Sequence, residues 1–144
     1  LGRTTLYRLA RAIIDAFSFR FDHLFGFYDN TKSWASSKIR YELNVDLEGK
    51  ENIIEPEEIF EGLPPEKLKH PFKNRHIRKG VKNTKVSQVF EKSRQRMLFL
   101  FDYGDEWHFI VELKKIVEPE QNIKYPAILE TFCEAPEQYP EYEE

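Results

Sequence analysis

Three rhythms of apolar residues run along this chain, and each predicts a different kind of element. Leu6, Leu9, Ile13 and Phe17, with Ala10 beside them, recur at helical spacing behind Thr5, whose hydroxyl can accept from the first free backbone N–H groups. The spacing predicts a capped amphipathic helix over residues 6–17, with Arg8, Arg11 and Asp15 outside the apolar stripe. Residues 23–28 are aromatic and close on the turn formers DNTKS, which predicts a strand. In KIRYELNV the period falls to two. Ile39, Tyr41, Leu43 and Val45 alternate with Lys38, Arg40, Glu42 and Asn44, the pattern of a strand with one buried and one wet face.

The third rhythm is LFLFDYGDEWHFIVEL, residues 98–113. Met97, Phe99 and Phe101 point one way and Leu98 and Leu100 the other, so this strand is apolar on both faces and belongs in the middle of its sheet. Its partner is covered on one side only: Trp107, Phe109, Val111 and Leu113 share a face, against His108, Ile110, Glu112 and Lys114. Residues 103–106 form the tight connection between them, with Gly104 expected to take positive φ. Short helices are predicted at residues 56–61 and within KVSQVFEK, a loop over the basic segment between them, and extended chain after Val117. Together these elements predict a single α+β domain over residues 1–144: an antiparallel sheet of about four or five strands, an α/β roll, with the N-terminal helix packed on one face.

Composition and charge narrow the classes of function. Large rings are plentiful and glycine is scarce, which suits a packed core and not a disordered chain. The lone Cys133 cannot form an internal disulfide, so a reducing, cytoplasmic setting is expected. No apolar run approaches the ~20 residues that span a bilayer, and no membrane partner is expected. The net charge of -3 hides a segregation: residues 67–85 hold eight Lys or Arg and no acid, and the tail 130–144 holds six Glu and no base. Lys67, Lys69, Lys73, Arg75, Arg78, Lys79, Lys82 and Lys85 are therefore the candidate nucleic-acid contacts, against the alternative of a solvated loop or one lying on an acidic tail.

The corner FDYGDEW and the N-terminal helix carry a resemblance to the plasmid pRiA4b ORF-3-like family. In that family a helix leads through a tryptophan to a His-Leu-x-x-Phe strand; here His23, Leu24 and Phe27 fall in register, with Phe19 at the tryptophan. A Tyr-Asp-Phe-Gly-Asp-x-Trp hairpin is matched by Phe101, Asp102, Tyr103, Gly104, Asp105 and Trp107, and a later Tyr-Pro by Tyr125 and Pro126. The chain departs at Phe109, where the family has a histidine, and at Ala135, Pro136, Glu137, Gln138 and Tyr139, where it has Pro-Pro-Glu-Asp and paired glycines. The resemblance implies an α+β roll found on plasmids and insertion elements, without an established activity. It also implies that the family's first strand is missing ahead of the helix.

His23, Asp102, Tyr103, Gly104, Asp105 and Trp107 form the candidate family-motif site. Asp102 and Asp105 could work as acid and base, or simply accept backbone N–H groups at a turn. A hydrolase reading requires both to converge with His23 within about 6 Å of one point. A nuclease-like set of Asp102 with Glu112 and Lys114 fails on distance, since hairpin geometry separates the carboxylates by roughly 16 Å. With one cysteine and no paired-histidine spacing, no metal site and no cofactor is expected, and no residue is assigned as catalytic. The expected function is a non-catalytic binding or interaction module, with nucleic-acid binding and hydrolysis as alternatives. Its partner class, a protein, a nucleic acid or a second copy of the chain, stays open.

Overall fold

The computed structural model describes residues 3–48, 52–54, 76–118, 120–124 and 126–140. Among them the chain is α+β. Helix α1 is Leu6–Ala16, and the Thr5 hydroxyl accepts from Arg8 N at 3.2 Å, so the cap works as the sequence requires. Strand β1 is Phe25–Tyr28, β2 Ile39–Glu42, β3 Asn52–Ile54, β4 His76–Lys79, β5 Arg96–Phe101 and β6 Trp107–Glu112. Between them lie a 3-10 turn at Trp34–Ser36, helix α2 at Leu43–Glu48 and helix α3 at Val86–Val89.

The six strands form one sheet in the order β3-β4-β2-β1-β5-β6. The sheet is mixed and not antiparallel throughout, because β4 runs parallel to β2. A parallel neighbour needs a crossover connection, which the long stretch between β2 and β4 supplies. The hairpin is as expected: β5 and β6 pair antiparallel with Phe101 opposite Trp107 and Arg96 opposite Glu112.

Two faces of β5 belong to two cores. Met97, Phe99 and Phe101 join Phe25, Phe27 and the α1 residues Leu6, Ala10 and Ile14 in the main cluster, while Leu98 and Leu100 join Tyr28 under Trp34 and Tyr103. Ring contacts run through the main cluster, with Phe27 stacked on Phe99 at 4.8 Å and Phe19 edge-on to Trp107 at 4.9 Å.

Four local expectations need correction. The basic segment, expected as loop, carries strand β4 at His76–Lys79. The strand beginning at Ile39 stops at Glu42, and Leu43–Glu48 is helical. The helix puts Asp46 where its carboxylate accepts from Val81 N and Lys82 N, against a bare Gly80 whose added Cβ would lie 2.5 Å from Asp46 Oδ1. The second face of β2 is not wet either, since Glu42 is only 7% exposed. At the hairpin corner, the left-handed conformation falls on Asp102 (φ 65) and Glu106 (φ 51), not on Gly104. An aspartate tolerates that region when its side chain bonds its own backbone two residues on, as Asp102 does. The short helix expected at residues 56–61 lies outside the described residues.

Candidate functional site

Just ahead of β1, the chain leaves α1 through residues 18–24, and His23 comes to rest over the hairpin corner. Its Nε2 is 3.4 Å from Asp102 Oδ2, and the imidazole meets Phe101 edge-on at 5.9 Å. Asp102 is itself fixed: its backbone N–H donates to Leu24 O, and its Oδ1 accepts from Gly104 N at 3.0 Å and Asp105 N at 3.3 Å. One carboxylate oxygen therefore closes the turn and the other faces the histidine.

The C-terminal segment completes the cluster. The Tyr139 hydroxyl is 2.7 Å from His23 Nε2 and donates to the Asp22 carboxylate at 3.3 Å, so the imidazole N–H is left to donate to the Tyr139 oxygen. Loss of solvating water and the Asp22 carboxylate beside it push the Tyr139 phenol above its ordinary range. Next to it Gln138, buried, uses both ends of its amide on one residue: Oε1 accepts from Arg20 N at 2.7 Å and Nε2 donates to Arg20 O at 3.2 Å. A carboxylate at this position has no proton to give Arg20 O. The chain's glutamine, where the family motif has an acid, is what makes the two-way bond available.

Of the sequence-predicted motif residues, His23 and Asp102 meet, with Asp22, Gln138 and Tyr139 joining them. Asp105 contributes its backbone N–H to the turn, and no bond of its carboxylate to His23 or Asp102 is present. Trp107 packs in the main core with its indole N–H buried and unpartnered. Glu112 pairs with Arg96 at 3.3 Å, far along the strand from Asp102. An open groove of about 630 Å³ borders the cluster on its far side, between residues 17–20 and 135–139, and none of the corner residues 102–106 lines it. Among the described residues no group of three His, Cys, Asp or Glu side chains is arranged to hold a metal ion.

Tyr103 turns away from His23 and enters a second polar network, which the sequence reading missed. Tyr28, fully buried, donates from its hydroxyl to Glu42 Oε2 at 2.6 Å and lies 2.7 Å from the Tyr103 hydroxyl; Glu42 Oε1 accepts from Arg78 Nε at 2.8 Å. Burial, then the neighbouring Tyr103 and Glu42 groups, drive the Tyr28 phenol far above its usual range. Tyr103 is pushed up to about 12, by burial first. The hydrogen bond to Glu42 holds the Arg78 guanidinium above its own ordinary value. Gly26 makes the geometry fit: it sits opposite Glu42, and a Cβ there would come within 2.9 Å of the Tyr28 ring and hydroxyl. The available signal was the reversal of the family's Tyr-Asp-Phe to Phe101-Asp102-Tyr103, which moves a hydroxyl to the second face of the sheet.

This network also decides part of the basic segment. Arg78 is committed to Glu42, with Glu48 3.8 Å away, while Lys79, Lys82 and Lys85 are exposed and Lys82 lies over the Tyr7 ring. Lys67, Lys69, Lys73 and Arg75 lie outside the described residues.

No helix among the described residues is long and apolar enough to cross a membrane. No curated protein matches the chain, and neither does any solved structure. The family model described as plasmid pRiA4b ORF-3-like protein matches residues 1–140, nearly the whole chain, and the protein whose motifs converge on His23 and Asp102 belongs to that family.

Proposed function

We propose that this protein is a non-catalytic interaction module, and that its motif cluster is a latch fastening the C-terminal segment to the rest of the domain. The observation that carries this reading is the two-way bond between Gln138 and the Arg20 backbone, flanked by the His23–Tyr139 contact. Both spend the cluster's polar groups on the chain itself. Asp102 Oδ1 is likewise taken by two backbone N–H groups, so the acid that a hydrolase needs to orient water is tied into a turn. Absence of the family's histidine at Phe109 and of its acid at Gln138 supports the same conclusion.

Hydrolysis assays on ester, phosphomonoester and peptide substrates test it, with His23→Ala and Asp102→Asn as controls. The expected result is no turnover that depends on either residue. Turnover abolished by both substitutions would overturn the reading. Nucleic-acid binding gains no specific support from the described part of the basic segment, where Arg78 is already paired.

A further inference from the structure

The sheet has two edges of unequal character. β3 is three residues long, whereas β6 is six residues long, carries no proline, and ends the sheet on the other side. Among the described residues no backbone hydrogen bond is made to the outer edge of β6. Its second face holds Ile110, which is 55% exposed, between the exposed His108 and the half-buried Glu112. A long edge strand with unpaired N–H and C=O groups is a template for another strand, and soluble proteins ordinarily blunt such an edge or cover it.

We propose that the strand covering it is β6 of a second copy, paired antiparallel about a two-fold axis at Ile110, so that two six-stranded sheets become one. The strand's own sequence argues for this occupant. With Ile110 opposite its twin, His108 faces Glu112 of the second copy and Phe109 faces Val111, each on its proper side of the sheet. Continued to the first residue of the strand, the same register sets Trp107 against Leu113, just past the strand's last residue. Along the strand apolar residues meet apolar residues, and its polar pair, His108 with Glu112, is complementary. A two-fold interface requires such self-complementarity, because each contact is made twice by the same patch. The inference names a partner for the interaction module proposed above and rests on that reading.

Sedimentation of the full chain over a wide range of concentrations, together with register-specific cross-linking, tests the pairing. Wild type is expected to sediment as a dimer, and Ile110→Lys, which sets two like charges face to face, as a monomer with unchanged circular dichroism. In a Cys133→Ser background, Ile110→Cys is expected to form an interchain disulfide under mild oxidation, since directly opposed strand residues stand about 4.5–5.5 Å apart at Cα. His108→Cys is expected not to, because it would lie about 13 Å from its twin, four residues along the ladder. A wild-type monomer at every concentration, a dimer that persists in Ile110→Lys, or equal cross-linking from His108→Cys would each overturn the pairing. Turnover dependent on His23 would sink the non-catalytic reading instead, a separate outcome from any of these.

Discussion

Two polar networks flank strand β1, one at each end, and both reach the same hairpin corner. At the start, His23 meets Asp102, Asp22 and Tyr139 in a cluster whose histidine is more than a third exposed. At the end, Tyr28 meets Glu42, Arg78 and Tyr103 with no water-facing surface on its own ring. Adjacent residues of the corner serve opposite networks: Asp102, itself buried, anchors the one whose His23, Asp22 and Tyr139 face water, and Tyr103 serves the closed one. The exposure of those partners separates what the two can do. A carboxylate shut away from water must keep its partners or leave a charge uncompensated, whereas an exposed pair exchanges protein for water at little cost. On the latch proposal, the closed network is accordingly a stability device, and the open one is predicted to be undone without unfolding the domain.

Glu42→Ala should cut deepest, since it strands the Arg78 guanidinium and the Tyr28 hydroxyl on the covered face of the sheet. A loss of about 3–5 kcal/mol in chemical denaturation is expected, and a loss near that of an exposed ion pair would erase the contrast between the networks. Gly26→Ala drives a methyl group into the Tyr28 ring and should cost about 1–3 kcal/mol, with Tyr28→Phe unable to relieve it because the ring carbon is also in the way. Tyr103→Phe removes one hydroxyl from the covered network and should cost about 1 kcal/mol.

The same residue gives the comparison a pH dependence. Its pKa is raised by folding, so its contribution is fully present below its ordinary value of 10 and is lost as pH rises through about 12. Tyrosinate absorbance should therefore show Tyr103 titrating after the exposed tyrosines, and a wild-type curve identical to that of Tyr103→Phe would contradict the burial. His23→Ala should be the mildest, under about 1 kcal/mol, while increasing protease cleavage within residues 114–137. Cleavage unchanged from wild type would mean the cluster fastens nothing.

Much of the first network is legible in the sequence because family motifs mark it: His23 and Asp102 stand out through their match to those motifs, and they meet at 3.4 Å. Gln138 and Tyr139 read in the sequence only as departures from a motif, since a single substitution does not announce that an amide is bonding a backbone 118 residues away. The hairpin and α1 followed from periodicity, which depends on local geometry alone. β2 misled, because Ile39 to Val45 alternates as well as any strand, and only the tertiary bond from Asp46 to Val81 explains why its second half is helical. The closed network was hidden for a related reason. Glu42 reads as a wet position in its own strand, and its buried partner Tyr28 is covered by Trp34 and Tyr103, the latter distant in sequence.

The latch is tested most directly at the Arg20 amide, whose hydrogen bond goes to the Gln138 side chain. Amide hydrogen exchange followed by NMR in wild type and Gln138→Ala should show Arg20 protected in the first and released in the second, with the amides of β1 and β5 unchanged. Equal exchange at Arg20 in both proteins, or a loss of protection across the whole sheet, would contradict a fastening that opens by itself.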